Sequence, residues 1–380
     1  MGLSLFTGAN VFDGEAFIDG QAVLVEDGAI AALCPIGETV AADTIIDLEG
    51  GLLAPGFVDA QVNGGGGVLF NAAPTTSGLR AIAEAHRAFG VTAMLPTLIT
   101  DTPETMHAAA AAVKDAIAAG SPGCLGIHLE GPFISPTRKG AHKGDFIRPM
   151  SDADVDVLLA LDIDTVLVTL APDAVPPERI RRLTDAGIIV SLGHSDATYD
   201  EVAQAVDAGA TGVTHLFNAM SPLGNRAPGM IGAALEFGDL WCGIIADGHH
   251  VDPAALRLAL RAKRRPGRLF LVSDAMPTAG DADDMFTLNG RTVTRTDGRL
   301  TLADGTLAGS DLDMASAVRF AIDELGVPRA EALRMASLYP ATLLRKDDRH
   351  GRIRPGYRAD FVHLDDDNAV QAVWVAGEKF

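Results

Sequence analysis

Glu130, His194, His215 and Asp274 each close an apolar run, in GIHLE, IVSLGH, GVTH and LFLVSD. Two neutral imidazoles and one carboxylate can hold a divalent ion and leave a fourth position for water, the open arrangement of a catalytic centre. Such an ion draws the pKa of its water toward neutrality. Asp274, if it faces that water, is placed to take its proton and return it to a leaving group. Taken singly, each residue has a plainer reading: a satisfied core histidine, an aspartate capping a turn, a carboxylate paired with a cation. The chemical reading rests on their arriving at one place.

The elements that must bring them there alternate. Apolar strand candidates at 56–60, 91–98, 124–130, 165–171, 188–193, 212–217, 241–246 and 268–273 are separated by amphipathic helices, the signature of βα units and a parallel sheet. Helix ends are legible. Thr102 precedes Pro103, Thr198 and Glu201 form a capping box, and the helical stretches stop near Gly90, Gly120 and Gly209. Eight such units predict an α/β fold, a (β/α)8 TIM-like barrel, with a doubly wound open sheet as the alternative. In a barrel the C-terminal strand ends share one rim. That rim then collects Gln61, Asn63, Thr97, Glu130, His194, His215, the stretch 247–250 and Asp274.

Residues 1–52 and 345–380 read differently, as short strands broken by Asp-Gly turns, and predict one small β-sandwich domain built from both chain ends. The catalytic barrel then spans 53–344, with a β-hairpin excursion near 275–310 followed by helices around 313–325 and 329–339. A net charge of -20 offers no phosphate-neutralising surface and argues against nucleic acid, though one or two local cations suffice for a small phosphorylated ligand. Arg226, in the loop SPLGNRAPGM, is either a solvated surface residue or such an anion clamp. His142, in KGAHKGDF, reads by itself as a surface histidine, and the glycines at 64–67 as a flexible loop. Cys34, Cys124 and Cys242 are widely spaced, which predicts core thiols in a reducing cytoplasm. No signal peptide or membrane span is expected.

The motifs VDAQVNGGGG, HLEGPFIS, KGAHKGDF, LGHSDATY, THLFNAMSPL, ADGHHVDP, LVSDAM and LAGS occur in this order. Together they resemble the N-acetylglucosamine-6-phosphate deacetylases of the amidohydrolase superfamily. LAPGFVDA and GRIRPGYRADFV resemble that superfamily's entry to and exit from its β domain, so the likeness spans nearly the whole chain. The resemblance implies hydrolysis of N-acetylglucosamine 6-phosphate to glucosamine 6-phosphate and acetate. It implies that Glu130, His194 and His215 hold the metal, and that Asp274 is general base and then general acid. His142 would bind the sugar and stabilise the oxyanion. Asn218, the Ala219 backbone, Arg226 and His250 would hold the phosphate, part of the set lent by a homodimer partner. Ala141 and Leu307 would complete the substrate contacts, Leu307 on the acetyl side. His249 is a variable neighbour of the matching His250.

One departure matters. Many superfamily members carry His-x-His after the first strand and bind two metals, whereas this chain has Gln61 and Asn63. The resemblance is therefore to the single-metal branch, with one Zn²⁺ per subunit, Fe²⁺, Mn²⁺ or Co²⁺ being other ions for such a set, and Gln61 lining the vacated site. Two other functions are weighed: the same chemistry on N-acetylgalactosamine 6-phosphate or another N-acyl amine, and a non-catalytic binding protein on the same fold. The intact Glu130, His194, His215 and Asp274 argue against the second.

Overall fold

The computed structural model describes residues 2–380. Its centre is an eight-stranded sheet whose strands neighbour one another in sequence order. They are Phe57–Val62, Val91–Ile99, Ile127–Glu130, Val166–Leu170, Ile189–Leu192, Gly212–Val213, Trp241–Ile244 and Leu269–Leu271. Every pairing between them is parallel. All but the outermost Trp241 are buried, as expected of strands covered on both faces. The sheet closes on itself where Val62 bridges Ala275 and the Asp274 amide donates to the Gln61 carbonyl at 3.0 Å. Asp59, fully buried on the first strand, accepts from the Ser273 amide at 3.2 Å and pins the seam. This is the (β/α)8 barrel.

Several strands are shorter than the apolar runs that encode them. The sixth ends at Val213, and the chain turns at once so that His215, with φ 33°, points inward. The second runs further than its pattern suggests, to Ile99. Thr97 therefore lies inside the barrel, where its hydroxyl meets the Val62 amide and His128, and Thr100 stands on the rim instead. Around the sheet, the helices begin on the expected caps: the Thr102 hydroxyl accepts from Thr105 N, and Thr198 and Glu201 complete a capping box.

The excursion after the eighth strand is a three-stranded antiparallel sheet, Met285–Leu288, Arg291–Thr296 and Arg299–Thr301. Leu288, Val293 and Leu300 form a small core that continues into the barrel mouth at Ile99 and Met276. Strands from both chain ends meet in a six-stranded sheet, where Leu52–Pro55 pairs with Phe361–Leu364, beside a four-stranded sheet from the N-terminal part. Phe6 packs edge-on against Phe361 and Trp374 in their shared core. Among the described residues no helix is long and apolar enough to cross a membrane, and all three cysteines are unpaired.

Candidate active site

Glu130 is the last residue of the third strand, in register with Ile99 and Thr169 on either side. His194, His215 and Asp274 follow the fifth, sixth and eighth strands with φ of 49°, 33° and 52°. Non-glycine residues rarely take these values, and the strain is borne where it turns a side chain over the barrel mouth.

Glu130 Oε1 lies 2.9 Å from His194 Nε2 and 3.1 Å from His215 Nε2, and the two imidazole nitrogens are 3.1 Å apart. His194 Nδ1 is 2.8 Å from the Arg138 carbonyl, so the ring donates there and presents a bare Nε2 to the centre. Burial, and then the nearness of the His142 imidazole, pull the His194 pKa down to about 4, which keeps that ring neutral. Burial opposes ionisation of Glu130, yet the imidazoles of His142, His194 and His215 around it outweigh that and hold the carboxyl well below its usual range. Burial likewise works against a charged His215, but Glu130 overrides it and raises that pKa. One carboxylate oxygen and two ring nitrogens thus converge with at most one proton among them. A divalent cation satisfies all three, and they lie close enough together to bind one.

Asp274 stands across from this group. Gln61 Nε2 links the two, donating to Glu130 Oε2 at 3.0 Å and to Asp274 Oδ1 at 3.1 Å. Asn63 Nδ2 adds a second bond to Asp274 Oδ1 at 2.7 Å. Even so, burial first, and then the charge of Glu130, raise the Asp274 pKa to about 7. Beneath this level a hydroxyl belt of Thr169, Thr214 and Ser191 carries His128, whose pKa burial lowers to about 4.

These residues open into a cavity of about 350 Å³, the size of a small-ligand site. Glu130, His142, His194, His215, Asn218, Ala219, His250, Asp274, Ala141 and Leu307 all line it. His142 is 4% exposed, contrary to its reading as a surface residue: its loop folds inward and Arg291 of the excursion grips the Ala141 carbonyl. His250 Nδ1 is 2.6 Å from Asp247 Oδ2, which fixes its ring. Asn218 Nδ2 bonds the His215 carbonyl at 3.1 Å. Leu307 arrives on the turn that follows the excursion's last strand.

Two of the expected residues are not part of the cavity lining. Gln61 is buried beneath the cavity and braces its floor, without lining it. Arg226 is exposed and borders a separate cleft with Tyr199 and Pro222. His249 accepts from Arg299 at 3.1 Å and does not line the cavity. Arg138, Thr137 and Met276 line the cavity without having been singled out from the sequence. Their only signal was proximity to strand ends or to the HLEGP turn.

The amidohydrolase family model matches residues 52–379. The chain is 45% identical to an N-acetylgalactosamine-6-phosphate deacetylase of Shewanella sp. (strain ANA-3), over 98% of this chain and 94% of that one. It is 43% identical to the N-acetylglucosamine-6-phosphate deacetylase of Bos taurus, over 89% and 85% respectively. The crystal structure of N-acetylglucosamine-6-phosphate deacetylase from Pasteurella multocida superposes with a TM-score of 0.95 at 36% identity, over 100% of this chain and 99% of that one. An eight-stranded barrel, a three-residue ligand set on its rim and these likenesses lead to one statement: the chain belongs to the amidohydrolase family, among the N-acetylglucosamine- and N-acetylgalactosamine-6-phosphate deacetylases.

Proposed function

We propose that this chain hydrolyses the acetamide of N-acetyl-D-glucosamine 6-phosphate, releasing D-glucosamine 6-phosphate and acetate. The observation that carries the reading is Asp274, with its raised pKa, facing the Glu130, His194 and His215 cluster across one cavity. A divalent ion held by those three residues supplies Lewis acidity toward water and toward the amide carbonyl. Zn²⁺ is the proposed ion, and one per chain is proposed because Gln61 and Asn63 occupy the positions of the His-x-His pattern. Fe²⁺, Mn²⁺ or Co²⁺ suit the same ligands.

The chain's own groups divide the remaining work. Asp274 takes a proton from the attacking water and delivers it to the amine nitrogen as the C–N bond breaks, a task for which a pKa near neutrality is suited. His142, whose Nε2 lies 3.7 Å from Glu130 Oε1, donates to the carbonyl oxygen as charge develops there. His250, Asn218 and the Ala219 backbone receive the phosphate end, and Ala141 the sugar. Leu307, with Met276 and Ile99 nearby, packs the acetyl methyl. Arg226, exposed and outside its own chain's cavity, reaches a phosphate only as a loan to a second copy, which makes a homodimer part of the proposal. The three free thiols fit a reducing cytoplasm.

Acetate release from N-acetylglucosamine 6-phosphate, measured before and after chelation and again with Zn²⁺ restored, tests the reading. Activity that survives complete metal removal overturns it. The 45% identity to an N-acetylgalactosamine-6-phosphate deacetylase favours a second reading, the C4 epimer as substrate. The ratio of kcat/KM for the two sugar phosphates decides between them.

A further inference from the structure

Thr100 stands one residue beyond the second barrel strand and is 1% exposed. Its hydroxyl is 2.8 Å from His142 Nδ1 and 3.4 Å from the Glu130 carbonyl oxygen. The oxyanion role assigned to His142 needs a hydrogen on Nε2. A ring so protonated leaves Nδ1 as an acceptor, and the Thr100 hydroxyl at 2.8 Å is the donor placed to meet it. His142 Nε2 lies 3.7 Å from Glu130 Oε1, beyond hydrogen-bond reach, and His142 lines the cavity.

The packing around this pair leaves little freedom. A Cβ on Gly131 would fall 2.2 Å from Thr100 Oγ1, and the φ of +86° there is one that side chains rarely adopt. Position 131 is thus kept clear beside the hydroxyl. The His142 ring also packs edge-on against His194, with centroids 4.4 Å apart. The backbone before it is tied by Arg291 to the Ala141 carbonyl.

We propose that Thr100 is a positioning residue: its hydroxyl donates to His142 Nδ1 and so holds the ring as the Nε2–H tautomer that can donate to the acetamide oxygen. The inference rests on the oxyanion role assigned to His142 in the proposed function. Thr100 itself does not touch the substrate. With the opposite tautomer, a lone pair would meet the developing oxyanion and the ring would repel the charge it has to stabilise.

Five proteins test this: the native chain, Thr100→Val, Thr100→Ser, His142→Ala and the Thr100→Val/His142→Ala double variant, which closes a cycle. Thr100→Val is expected to lower kcat by roughly 10- to 100-fold with little change in KM, the usual effect of losing a partner that orients a catalytic ring. Thr100→Ser is expected to recover most of that loss. In the His142→Ala background, Thr100→Val is expected to cost nothing further. Independently of turnover, the long-range ¹H–¹⁵N spectrum of the Zn²⁺-loaded native protein is expected to show His142 protonated on Nε2. A native spectrum with the hydrogen on Nδ1 overturns the proposal, as does a Thr100→Val variant with native kcat. An equal loss with and without His142 overturns it too. If the native chain releases no acetate from any acetylated sugar phosphate, the functional reading fails, while the spectrum still decides the tautomer. That spectrum needs no variant to fold.

Discussion

Replacing Asp274 by Asn separates what this side chain does for catalysis from what it does to the fold. Asp274 Oδ1 accepts from Gln61 at 3.1 Å and from Asn63 at 2.7 Å, and an asparagine carbonyl oxygen keeps both bonds. The variant therefore retains the local geometry and loses only a group that can exchange a proton. Its kcat is expected to fall by about 10²- to 10⁴-fold. Stability of the metal-free protein is expected to move the other way. The native carboxyl rises from 3.8 to about 7 on folding. The folded state thus binds this proton more tightly than the unfolded chain, so the group destabilises the fold increasingly as pH rises from 3.8 toward 7, and by a constant amount above. A shift of about 3 pH units corresponds to roughly 4 kcal/mol at pH 8, shrinking to under about 2 kcal/mol at pH 5. Urea denaturation of chelated native and Asp274→Asn protein across pH 5–8.5 measures this gap, with titrating groups remote from Asp274 cancelling in the difference. A variant that is less stable than the native chain at pH 8, or a gap that does not widen with pH, refutes the reasoning.

Gln61→Leu removes both donors between Glu130 and Asp274. It is expected to destabilise the metal-free protein by about 2–3 kcal/mol, more at pH 8 than at pH 5, as read from denaturation midpoints. His194→Ala takes away one of the three proposed metal ligands, and elemental analysis of the purified variant is expected to find well under one metal ion per chain. For the native protein, free Zn²⁺ at about 100 times its Kd is expected to add roughly 2.7 kcal/mol to stability, visible as a higher Tm. Thr198→Ala breaks a capping box on the helix Tyr199–Asp207 and is expected to cost about 1 kcal/mol without altering kcat.

How far the site could be read from sequence varied with the range of the interaction involved. Glu130, His194, His215 and Asp274 were legible because each ends an apolar run, and strand direction alone brings such ends to one rim. Thr97 was misread as a rim residue, since the apolar pattern does not mark where pairing stops; the strand runs one residue beyond the apolar run, to Ile99, and Thr100 takes the rim position. His142 looked solvated because a Gly- and Lys-rich loop has no periodicity, and its burial comes from packing under the excursion. Arg226 looked like part of the mouth on loop order, yet its loop turns outward in the single chain.

The sequence by itself determined the alternation of strands and helices, the helix caps and the residue types that reach the barrel rim, because propensity, patterning and strand direction act over short spans of chain. Only the tertiary structure decided how those residues face one another. Gln61 and Asp274 are 213 residues apart, and they meet because the first and last strands close the barrel at Val62 and Ala275. That closure turns Gln61 from a missing metal ligand into the donor that joins two buried carboxylates. It also places Asp274 where burial and the Glu130 charge lift its pKa to about 7. Hydrogen-bond partners and desolvation depend on distances of a few ångströms between segments remote in sequence, and those distances exist only once the barrel has closed.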